Sequence, residues 1–201
     1  MAYEPFIDDP GHIREVEGQR FVVLRPNAGV CKIHRHLQAV LRKAFGAVPI
    51  SYPAQAHVTL AAFDAGTRLD GIQDLVDSWS RTVSPVRVTL ERLASFPAPS
   101  QVVIIQVLNT PDLVAALSEL RREAGEKRFS IDTTISPQDW VFHMSVAYCS
   151  KLNDREWNQL EQFVPELEVV LPSCVVNEAE LVAFDEGREY SGGVYSLRAQ
   201  T

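Results

Sequence analysis

Two tetrapeptides in this chain pair an imidazole with a hydroxyl, His57-Val58-Thr59-Leu60 and His143-Met144-Ser145-Val146. In an extended segment alternate side chains share a face, so His57 and Thr59 point one way while Val58 and Leu60 point the other, and the second copy repeats this with His143 and Ser145. A neutral imidazole can take a proton from an attacking oxygen. A protonated one can give a proton to a leaving oxygen, and an unperturbed pKa near ~6.5 permits both roles around neutrality. Hydroxyls beside them can donate to the non-bridging oxygens of a phosphate. His57, Thr59, His143 and Ser145 are therefore the candidate catalytic set for phosphoester chemistry done by side chains, with no metal and no cofactor expected. Neither motif offers a carboxylate on its histidine face, which weighs against a metallohydrolase.

Two strands must be brought face to face for this set to assemble, and the surrounding pattern supplies the means. An apolar run at 21–24 reads as a strand ended by Arg25-Pro26, and the stripe Val30, Ile33, Leu37, Val40, Leu41, Ala44 reads as a helix closed by Gly46. The first motif strand spans 56–63, a helix follows from Asp70 to Trp79, and Val86, Val88 and Leu90 begin a strand that reaches Phe96. The second half repeats the order: a strand at 102–108, a helix capped by Thr110-Pro111, the motif strand 141–149, a helix from Asp154 through Phe163, and a strand at 167–171. Each half is thus a βαβαβ unit. The tail adds "CVVNEAELVAF" and "GVYSLRA" as further strands, and residues 1–19 form an N-terminal extension to a single domain over 20–201.

The paired His-x-[Thr/Ser]-x motifs, set in two similar α/β halves, resemble the 2H phosphoesterase superfamily, which includes the proteins called 2′-5′ RNA ligases. That resemblance implies an α+β, bilobal fold with an antiparallel sheet in each lobe, helices outside and a central groove. It also implies metal-independent opening of a small 2′,3′-cyclic or 2′-5′-linked nucleotide phosphodiester, with His143 as base and His57 as acid and with Thr59 and Ser145 holding phosphate. Relatives near the ligase-named branch often carry an arginine after the motif hydroxyl, where this chain has Ala61-Ala62 and Ala147-Tyr148. Arg25 is the candidate substitute, weighed against an ordinary solvent-facing strand end. Phe63, on the expected His57 face, and Tyr195, in the tail, are candidate base contacts. Tyr148 should point away from the groove. The alternative from another class is a nucleotide- or RNA-end-binding module without turnover.

Bulk properties narrow the partners. A hydrophobic fraction of 46% and a charged fraction of 22% are ordinary for a folded globular chain of 201 residues. A net charge of −7 opposes an extended nucleic-acid footprint, so the expected ligand is a small nucleotide or an RNA end, taken by a monomer. No apolar run reaches the roughly 20 residues of a membrane span. Three cysteines without Cys-x-x-Cys spacing fit a reducing cytoplasm. His34 and His36, two apart on a helix, read as surface groups. Gly66 and Gly71 lack the Lys-Ser/Thr that a phosphate loop requires, and the mixed-charge cluster at 121–128 reads as a solvated helix end.

Overall fold

Helices begin in this chain where a polar side chain can take up the free backbone N–H groups of a first turn. Asn27 accepts from Val30 N, Thr110 accepts from Leu113 N ahead of Pro111, and Asn153 forms a reciprocal capping box with Glu156. These caps start helices α2 (Ala28–Ala44), α4 (Pro111–Glu126) and α5 (Asp154–Phe163). The computed structural model describes residues 2–5, 10–186 and 188–198. Of the segments expected from sequence, residues 1 and 6–9 of the extension, Gly187 of the tail turn and Ala199 at the end of the last strand lie outside the described residues. The other helices are α1 (Pro10–Val16) and α3 (Leu69–Ser80). The strands are β1 (Ala2–Pro5), β2 (Arg20–Leu24), β3 (Val58–Phe63), β4 (Val86–Phe96), β5 (Val102–Val107), β6 (His143–Tyr148), β7 (Ser173–Val176), β8 (Glu178–Asp185) and β9 (Arg188–Ser196). No helix among the described residues is long and apolar enough to cross a membrane.

The strands form two antiparallel sheets, ordered β1-β9-β8-β2-β3 and β6-β5-β4-β7. The fold is therefore α+β with an antiparallel sheet in each lobe. The sequence repeats do not coincide with the sheets, however. β4 closes the first βαβαβ unit but pairs with β5 in the second sheet, while β8 and β9 complete the first sheet from the far end of the chain. The tail stretch 174–184 accordingly divides at Asn177 into β7 and β8, which belong to different sheets. One apolar core joins the lobes: Val22, Leu24, Val58 and Leu60 of the first sheet and Val88, Ile105, Met144 and Val146 of the second pack with Leu37, Leu75, Trp79, Leu117 and Leu160 of the helices. The indole N–H of Trp79 donates to Ala116 O at 3.0 Å, so α3 and α4 lock together without an unpaired buried donor.

The expected strand at 167–171 is a loop. Its alternation is real, because Leu167, Val169 and Leu171 pack against the core while Val170 is exposed. Pro165 and Pro172 bracket it, and the ladder position on β4 goes to β7, where Val86 faces Val176 and Thr89 faces Ser173.

Candidate active site

Both motif strands break register at the same point. Along β2 and β3, Val22 faces Ala61 but the next residue, Val23, faces Thr59; along β5 and β6, Val103 faces Ala147 but Ile104 faces Ser145. Leu60 and Val146 are the extra residues of two equivalent β-bulges, each directly after the motif hydroxyl. A bulge resets the alternation of faces. Leu60 and Ala61 are both buried in the core, as are Val146 and Ala147, and the parity is reversed beyond them. Two expectations change as a result. Phe63 belongs to the core, 1% exposed and edge-on to Phe129, and Tyr148 turns into the groove.

His57, Thr59, His143 and Ser145 line one cavity of about 250 Å³, so the structure brings the four candidate residues together from the two lobes. Its other walls include Pro53, Gln55, Trp140 and Tyr148 near the second lobe, and Phe21, Phe184 and Glu189 from the first sheet. Trp140 arrives on the polar loop after α4, which Asn109 pins by donating to Gln138 O at 2.8 Å and Trp140 O at 3.0 Å.

The two imidazoles are anchored alike. The ring of His143 donates from Nδ1 to Val141 O at 2.8 Å, two residues back, and packs edge-on against Phe96 with centroids 4.8 Å apart. The ring of His57 is likewise bonded to a carbonyl two residues back, that of Gln55. Burial pushes the pKa of His143 below the usual histidine value. That of His57 is pushed down to about 3, first by burial and then by the Arg25 guanidinium, with smaller contributions from His143 and His34.

Arg25 is not a solvent-facing strand end. Its Nε donates to Glu180 at 2.8 Å, Nη2 is paired with Glu189, and Nη1 stands 3.3 Å from Nδ1 of His57. Glu180 and Glu189 are both buried, and together they hold the guanidinium against the imidazole instead of leaving it extended toward the cavity. Tyr195 lies apart from the site, packed on the core, with burial first and then Asp77 and Asp74 raising its phenol pKa.

Three supporting groups escaped the sequence reading. His34, expected on the surface, is buried, and its Nε2 donates to Ser145 O at 2.8 Å. One turn on, Gln38 Nε2 donates to Pro53 O at 2.8 Å and to Val146 O at 3.2 Å. These donors from α2 reach the two carbonyls at the β6 bulge, where the ladder is interrupted. Tyr148 is the third. Its backbone pairs with Ser51 on the open edge of β6, and its phenol shares a hydrogen bond with the Ser145 hydroxyl. Burial raises the pKa of that phenol, so it stays protonated near neutrality. The detectable signal for His34 and Gln38 was their place on the apolar stripe of Val30, Leu37 and Leu41.

An antiparallel sheet in each of two lobes, each contributing a histidine and a hydroxyl to one cavity, defines the two-histidine phosphoesterase class. A family model, the 2′-5′ RNA ligase superfamily, matches residues 30–188, and the chain belongs to that family. No curated protein matches the sequence. Among solved structures, TT0787 of Thermus thermophilus is similar over 91% of this chain and 100% of its own, with a TM-score of 0.65 and 19% identity. LigT of E. coli complexed with NADP+ is similar over 90% of this chain and 98% of its own, with a TM-score of 0.60 and 16% identity. The same protein complexed with 3′-AMP gives 0.58 at 17% identity, over 89% and 96%. At these identities the likeness is one of fold. Among the described residues no three His, Cys, Asp or Glu side chains form a group that could hold a metal ion.

Proposed function

We propose that this chain is a phosphodiesterase that opens a small 2′,3′-cyclic or 2′-5′-linked nucleotide phosphodiester, with His57 and His143 moving the protons. The observation that carries the reading is the convergence of two imidazole–hydroxyl pairs, one per lobe, on one cavity. Water attacks phosphorus, one imidazole takes the water proton, the phosphorus–oxygen bond to the ribose breaks, and the other imidazole protonates the departing oxygen. Thr59 and Ser145 donate to the non-bridging oxygens, where negative charge is concentrated in the transition state.

The environments of the rings favour one division of labour. A guanidinium beside His57 opposes its protonation, so His57 suits the base. Both rings have a carbonyl partner that supports their charged form, but among the described residues no guanidinium stands beside His143, so His143 suits the acid. This exchanges the roles that the family resemblance implies. Bound phosphate, a negative charge against both rings, favours the single proton that the pair needs. LigT has been crystallised with 3′-AMP, and a 3′-monophosphate is what remains when the 2′ oxygen of a cyclic phosphate leaves.

The test is turnover of a panel of 2′,3′-cyclic nucleotides and 2′-5′ dinucleotides, with and without EDTA, products resolved by isomer. Hydrolysis unaffected by chelator is the expected result. Complete loss with EDTA and recovery with zinc or manganese would overturn side-chain acid–base catalysis, and binding without turnover of any member would make the protein a capture module.

A further inference from the structure

α1 lies inside the groove. The groove face of the first sheet carries an apolar strip, Phe21 and Val23 of β2 with Val182 and Phe184 of β8, and Ile13 and Val16 of α1 pack onto it. On its other side α1 reaches the second sheet, where the ring of His12 lies 4.1 Å from that of Tyr148 with a tilt of 36°. His12 and Val16 line the same cavity as His57 and His143. The helix therefore bridges the lobes beside the candidate catalytic residues.

The strand before the helix and the turn after it are both paired with the first sheet. Before it, β1 pairs with β9, with Ala2 opposite Tyr190 and Pro5 opposite Arg188. After it, Gln19 N donates to Val16 O at 2.9 Å, and Gly18 turns at φ +75°, a conformation that suits glycine. Gly18 N donates to Phe184 O at 2.8 Å and Phe184 N to Gln19 O at 3.2 Å, which ties the turn to β8. A Cβ at Gly18 would also meet Ala65 Cβ at 3.0 Å. These contacts tie the C-terminal end of α1 to the sheet that it covers.

The charge of the cavity agrees with its shape. Among the described residues no lysine or arginine lines it, and its one carboxylate, Glu189, is engaged by Arg25. Successive phosphates of an RNA chain would find neither an exit past α1 nor a row of cations. A volume of about 250 Å³ also falls just below the usual range of ligand sites.

We infer that α1 is a fixed end wall that sizes the site for a single nucleotide phosphate and excludes a continuing RNA chain. The inference rests on the phosphodiesterase reading for the ligand's chemistry, and its test reads binding so that the two can fail separately. Titration calorimetry on the whole 201-residue chain would compare a nucleoside 3′-monophosphate with a trinucleotide ending in the same 3′-phosphate. The wild type should bind the mononucleotide at least tenfold more tightly. Ile13→Asp/Val16→Asp, which puts charge against the apolar strip, should reduce that preference at least fivefold. If that variant shows no cooperative melt, His12→Ala/Val16→Ala, which only thins the wall, should reduce it at least threefold.

Equal binding of the two ligands by the wild type, no binding of either, or an unchanged preference in the folded variants would overturn the wall. Turnover of a cyclic mononucleotide in those cases would leave the phosphodiesterase reading standing. Conversely, size discrimination without turnover would overturn that reading and keep the wall.

Discussion

The imidazole of His34 donates to the main-chain oxygen of Ser145 across 2.8 Å, so a helix of one lobe holds the motif strand of the other at its bulge. Replacing His34 by Phe keeps the ring volume but leaves a buried carbonyl without its donor. The expected cost is about 1–3 kcal/mol of stability, read from denaturant unfolding, together with lower turnover because the Ser145 hydroxyl loses its support. A stability change below ~0.5 kcal/mol, the range of an uninvolved surface position, would remove this strut from the account.

The acid–base pair should behave as a unit. His57→Ala and His143→Ala should each abolish most turnover of a cyclic mononucleotide, and the double variant should lose little more, because groups that act together are strongly non-additive. Thr59→Val or Ser145→Ala should cost about 10²–10³-fold in kcat, the scale of one positioned donor. Full turnover in both hydroxyl variants would contradict their placement on phosphate.

The pH profile follows from the two depressed histidines. With His57 as base and His143 as acid, the free protein is productive between about 3, where His57 takes its proton, and the pKa of His143, which burial holds below the usual value. The kcat/KM should therefore peak below pH 6.5 and fall as pH rises through the region where His143 deprotonates. A plateau extending to pH 8 would contradict this assignment.

Stability should respond to the same groups. An unfolded histidine binds its proton as pH falls through ~6.5, whereas folded His57 resists until about 3. Over that window the unfolded chain holds more protons, so stability drops as pH falls and His57 contributes no slope above it. His57→Gln should flatten the dependence of Tm on pH between about 6.5 and 3, with a residual slope from His34 and His143, whose pKa values are also lowered.

The bulges also separate two aromatic residues by role. Phe63→Ala should destabilise the fold by about 3–5 kcal/mol as a core cavity, while ligand binding by the folded fraction changes little. Tyr148→Ala should weaken nucleotide binding and disturb Ser145. Calorimetric binding alongside denaturant unfolding reads both effects, and a Phe63→Ala variant with intact stability but impaired binding would reverse the placement.

Much of this arrangement was legible because it is periodic. The motif pairs, four of the helices and most strands announce themselves by alternation, apolar stripes and caps at Asn27, Thr110 and Asn153. The bulges did not, because alanine follows each one. Ala61 and Ala147 are small enough for either face, so "VTLAAF" and "MSVAYC" alternate equally well with or without an extra residue. That ambiguity is what misplaced Phe63 and Tyr148. His34 and Gln38 were masked by polarity: on the buried stripe of α2, each has a partner among the carbonyls of a bulge that the pattern does not reveal. α1 has seven residues, too few for a helical period to register, and its Pro10-Gly11 start resembles a turn.

The exchange of β4 has a further consequence. A cut between Phe96 and Val102 would separate the two repeats in sequence, yet the first fragment would carry β4, which belongs to the second sheet, and the second would carry β8 and β9, which belong to the first. Neither half could inherit a complete sheet. The lobes are braided, so the chain has no seam along which they could be expressed, rearranged or lost separately, and the two histidines stand or fall with one cooperative unit.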